Sequence, residues 1–147
     1  VRVLRPGVLT PSALSRATGT EVLVGSLATD PRVPGSVKAH YAPRTPLEVV
    51  SAAELPARLR AMPAAACVSR AEGSGAVSPA LADRHRCLPA DAIGFGRALY
   101  AALRELDALD APRVLVEAPP EGEAWAAVRD RLSRAAAAAE IVDEPGS

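Results

Sequence analysis

Two ring side chains with different hydrogen-bonding habits, His40 and Tyr41, stand next to each other in the stretch RVPGSVKAHYAPRTP, residues 32–46. An imidazole donates or accepts near neutral pH, and a phenol offers a flat face with a hydroxyl at its edge. Four prolines fall between Pro31 and Pro46. Such a segment runs extended at about 3.1 Å per residue, so this one reaches up to roughly 50 Å. A spacer that needed only reach would do as well with glycine and serine. Proline restricts the chain beforehand, which suits a segment that must dock in one pose. The competing reading is that both rings simply pack the linker onto its own domain.

Other chemistry-bearing residues are scattered. Gly73 with Gly75 and Gly94 with Gly96 start like dinucleotide fingerprints, but the third position is Ser78 in one and Leu99 in the other. Neither gives the close helix approach that a pyrophosphate needs. A phosphate-cradling GxxxxGK[ST] loop does not occur, because the only lysine is Lys38. His40, His85, Cys67 and Cys87 lack metal-finger or catalytic-metal spacing, so no metal site is expected. No GxSxG elbow is present. Asp107 and Asp110, near the end of a long helical pattern, read as carboxylates solvating a surface turn.

The 147 residues suffice for one domain with a real core and a tail. Seventeen basic and seventeen acidic residues balance, which argues against a nucleic-acid surface or a membrane-seeking face. Sixteen of the basic residues are arginine, which together with abundant alanine fits a GC-rich coding sequence better than a phosphate-binding role. No apolar run of about eighteen residues marks a membrane span. Cys67 and Cys87 read as buried free thiols of a cytoplasmic protein. The entry at Val1, without methionine, suggests a piece of a longer chain.

The elements that must position these residues follow from periodicity. Residues 1–19 read as a short strand, a Pro-Gly turn and a helix with Thr10 as N-cap, Pro11 at its first position and Gly19 as its stop. EVLVGSLA (21–28) looks extended. LEVVS (47–51), AAACVS (64–69), RHRCLP (84–89) and RVLVEA (113–118) read as strands. Between and after them, Leu55, Leu59 and Met62 mark one helix, and Phe95, Leu99, Ala102, Leu103 and Leu106 a second with Asp91 at its start. Trp125, Val128, Leu132, Ala135 and Ala139 mark a third, on which Asp130 and Arg134 pair at i,i+4. This alternation predicts a small, open, Rossmann-like α/β domain over 47–140, its mostly parallel sheet flanked by helices.

In order, VLRPGVLT, VPGSVKAHYAP, ALYAALRELDAL, RVLVEAPPEG and AAVRDRLSRAA resemble the longer form of threonylcarbamoyl-AMP synthase, most specifically through PG-x4-HYAP, Pro34 to Pro43. The resemblance implies the C-terminal domain and linker of that enzyme, without most of its YrdC-like catalytic domain. Residues 1–19 would be the residual end of the catalytic domain, 20–46 the interdomain linker, 47–140 the Rossmann-like domain and 141–147 a tail. The intact family enzyme, a nucleotidyltransferase, makes threonylcarbamoyl-adenylate from L-threonine, bicarbonate and ATP with Mg. A partner system then uses it for tRNA threonylcarbamoyladenosine modification.

By the same resemblance the linker is a substrate and ATP lid carrying Pro34, Gly35, His40, Tyr41 and Pro43, and Arg5 is a candidate nucleotide-side contact. The chain alone is expected to be inactive, to bind no cofactor and to contact neither nucleic acid nor membrane. The alternative is a non-enzymatic small-ligand-binding or regulatory α/β module, with its pocket at the strand carboxyl ends.

Overall fold

The computed structural model describes residues 1–25, 43–71 and 79–142. The short strand β1 (Arg2–Val3) and the helix α1 (Pro11–Thr18) come first. The Thr10 hydroxyl accepts from the Ala13 N–H at 3.2 Å, Pro11 opens the helix, and Gly19 ends it at φ +65°, where a side chain would be strained. Strand β2 (Leu23–Val24) pairs parallel with β1. Two strands this short hide little apolar surface, and Val8, Leu9, Leu23 and Val24 remain exposed.

The main body is a four-stranded parallel sheet of β3 (Leu47–Val50), β4 (Ala66–Arg70), β5 (His85–Leu88) and β6 (Val114–Glu117) in the order β3-β6-β4-β5. Every residue of the central β6 is buried, as a strand covered on both faces must be. One face is covered by α2 (Leu55–Ala61), where Leu55 and Leu59 pack on Val50, Cys67 and Leu115. The other is covered by α3 (Ala92–Asp107) and α4 (Ala126–Val142), a 3-10 turn at Glu123–Trp125 leading into the latter. The α3 stripe Phe95, Leu99, Ala102, Leu103 and Leu106 is buried as the 3.6-residue period predicts. Phe95 meets Trp125 edge-on at 5.5 Å, a pairing worth about 0.5–1.5 kcal/mol beyond the area buried. Among the described residues no helix is long and apolar enough to cross a membrane.

Two expectations are corrected. Cys67 is buried, but Cys87 is exposed, because β5 is an edge strand and Cys87 points away from the face covered by α3. Asp107 does not merely solvate a turn. It reaches across the fold to residues 44 and 45. The inward position of Ala139 lies outside the described side chains.

Candidate functional site

His40, Tyr41, Pro34 and Gly35 lie outside the described residues, and both flanks of their segment are held by hydrogen bonds. Upstream, the Gly25 N–H donates to the Val3 carbonyl at 3.1 Å. Downstream, half-buried Pro43 is followed by a clamp. Both the N–H and the hydroxyl of Thr45 donate to Asp107 Oδ1 at 2.8 Å, and Arg44 Nε stands 3.5 Å from Oδ2. A carboxylate in the last turn of a helix faces the negative end of the macrodipole, so Asp107 needs such donors. Burial pushes its carboxyl up, but the Thr45 N–H, the Thr45 hydroxyl and Arg44 together hold it below its ordinary value. The Pro46 carbonyl then accepts from the Val114 N–H at 2.8 Å, which leads the chain into β3.

Arg5 lines a cleft of about 630 Å³ between the N-terminal segment and the α3–α4 face. Leu99 and Leu103 of α3 and Ala135 of α4, each at most 7% exposed, supply its apolar lining. Tyr100, Arg131 and Arg134 supply polar groups, and Arg104 lies over the Tyr100 ring at 5.5 Å. Asp130 accepts from Arg134 Nε at 3.1 Å and stands 3.5 Å from Arg5 Nε. Arg131 Nη1 donates to the Gly96 carbonyl at 3.0 Å. The i,i+4 pair is therefore present as expected, whereas the third partner, Arg5, comes from more than a hundred residues away and left no local signal.

A second set of polar groups lies on the sheet itself, from the start of β5 to the ends of β4 and β6. Ser69 Oγ and His85 Nε2 are 2.7 Å apart, and burial followed by the neighbouring Arg86 charge lowers the His85 pKa. Ser69 is only 2% exposed, so this pair ties β4 to β5 and does not present a nucleophile. Glu117, 1% exposed, accepts the Arg70 N–H at 3.1 Å, and Arg70 Nε lies 3.9 Å from its other oxygen. Cys67 is inert as a nucleophile, its thiol pushed up to about 12 by burial, then by Glu117 and Cys87. The second glycine pair is also explained by packing, since a Cβ at Gly94 would stand 2.7 Å from Asp91 Oδ1 and 2.8 Å from Pro89 Cβ.

Residues 9–137 match the family model described as threonylcarbamoyl-AMP synthase, C-terminal domain. Among solved structures, Sua5 of P. abyssi, crystallised with L-threonine, superposes at a TM-score of 0.69 with 24% identity. The match covers 94% of this chain and 43% of that one, and at this identity it shows the shared fold. No curated protein matches in sequence.

Proposed function

The chain belongs to the threonylcarbamoyl-AMP synthase C-terminal domain family, and from this we propose that it serves as the accessory domain and active-site lid of such a synthase. The intact enzyme would be a nucleotidyltransferase taking L-threonine, bicarbonate and ATP with Mg, its catalysis resting on a YrdC-like partner domain. In that reaction the threonine amine condenses with bicarbonate, losing water, and an oxygen of the resulting carbamate attacks the α-phosphorus of ATP. The bond to the β-phosphate oxygen breaks, and pyrophosphate leaves with the electron pair. Carbamates and mixed anhydrides are both open to attack by water, so a cover that docks in one pose has a chemical purpose. His40 and Tyr41, with Pro34, Gly35 and Pro43, are the residues assigned to that cover, and Arg5 to the nucleotide side. The adenylate then supplies tRNA threonylcarbamoyladenosine modification in the cytoplasm.

The observation that carries this reading is the family match, which runs through the proline-rich segment into the α/β domain. The Asp107 clamp supports it, since a cover closes reproducibly only if one end is fixed. The test is pyrophosphate release by the intact two-domain synthase. Tyr41→Ala is expected to slow release by about tenfold or more, the scale on which misplaced positioning groups act. A variant as fast as the unaltered enzyme would remove the lid role and leave the family assignment standing.

A further inference from the structure

The cleft beside α3 and α4 has a charge pattern of which the proposed function uses only Arg5. Among the described residues, three guanidiniums, Arg5, Arg131 and Arg134, line it, and one carboxylate, Asp130, pairs with Arg5 and Arg134. The Nη1 of Arg131 donates to a neutral carbonyl, and among the described residues no carboxylate pairs with it. The carboxylate is itself accessible to water, at 24% side-chain exposure, so its ion pairs hold the cations only weakly. Next to these cations lies an apolar lining of Leu99, Leu103 and Ala135. The volume of about 630 Å³ exceeds that of a bare anion and falls among small-molecule sites.

We propose that this cleft binds a small ligand that joins an oxyanion, phosphate or carboxylate, to an apolar body. Guanidinium forks match both oxyanions in a bidentate manner, and the apolar lining takes the remainder. Arg131 is the principal anchor. Asp130 acts as an internal competitor that an incoming anion displaces from Arg5. The proposal stands apart from the lid reading, since it requires neither His40 and Tyr41 nor an adenylate.

Calorimetry on the full chain tests it with two anions, AMP and hexanoate, and their neutral counterparts, adenosine and hexanol. At least one anion is expected to bind at one site per chain, about tenfold or more tighter than its neutral counterpart. Binding by AMP alone assigns a phosphate ester, and by hexanoate alone a carboxylate. Arg131→Gln is expected to weaken that binding about tenfold. Asp130→Asn, which removes the competitor, is expected to tighten it, an effect opposite in sign to structural damage. This second variant decides the matter even if the first disturbs α4. Absence of binding by both anions, equal binding by the neutral partners, or weaker binding by Asp130→Asn would overturn the proposal.

Discussion

Asp107 shows how one side chain changes its meaning between sequence and fold. Its neighbours in sequence give it the look of a solvated turn residue. Its partners, Thr45 and Arg44, lie about sixty positions upstream, and no local period signals a contact at that separation. Asp107→Asn puts an amide where Thr45 needs a charged acceptor, and should cost about 1–3 kcal/mol of unfolding free energy by urea titration. The pH dependence has a definite sign. The folded carboxyl sits below its ordinary value, so its contribution is complete above the unfolded pKa near 4. It is lost as pH falls through the lower folded value, and the Asn variant should lack that part of the acid dependence. Cys87 escaped the sequence for a related reason, because its exposure follows from strand order, which composition does not encode.

The long helix α3 was the most legible element. Its buried stripe, its Asp91 cap, which accepts from the Gly94 N–H at 2.7 Å, and its approximate end all follow from residue type and period. Strands β3, β4 and β6 were legible as β-branched or apolar runs bounded by turns, and β5 only as a short segment ending in Leu88, although not their order in the sheet. The two glycines of α3 now separate by environment. Gly94→Ala drives a methyl into Pro89 and the capping carboxylate and should cost about 1–3 kcal/mol, the range for overpacking. Gly96→Ala meets Val128 Cγ2 at 3.4 Å, a contact that a small adjustment absorbs. Its helix-propensity gain over glycine is of order 1 kcal/mol. Thermal melts of the two variants should therefore move apart, with Gly94→Ala falling well below Gly96→Ala. Equal melting temperatures would contradict this account.

On the scale of the whole molecule, residues 1–25 join the α/β body through polar contacts near α4. The Ser12 N–H and hydroxyl donate to the two oxygens of Glu123 at 2.9 and 2.7 Å, and Arg5 meets Asp130. The Ser12 N–H, then its hydroxyl, hold the Glu123 carboxyl below its ordinary value, so this latch is whole at neutral pH and lost as pH falls through that lowered value. Glu123→Gln should speed hydrogen exchange at the Ser12 amide without altering exchange in β6, the sheet's centre. Unchanged exchange at Ser12 would show that the latch does not hold this end of the chain. None of this was visible in the sequence, because the partners stand 111 positions apart.

Helix α3 carries the Asp107 clamp on its last turn and the apolar wall of the cleft, Leu99 and Leu103, one to two turns earlier. A helix resists bending over so short a span, so a shift at either place moves both together. A molecule lodged against the wall would therefore press on the same rigid helix that anchors Thr45 through Asp107. By thermodynamic reciprocity, if a ligand in the cleft favours one placement of residues 44 and 45, that placement raises the ligand's affinity by the same factor.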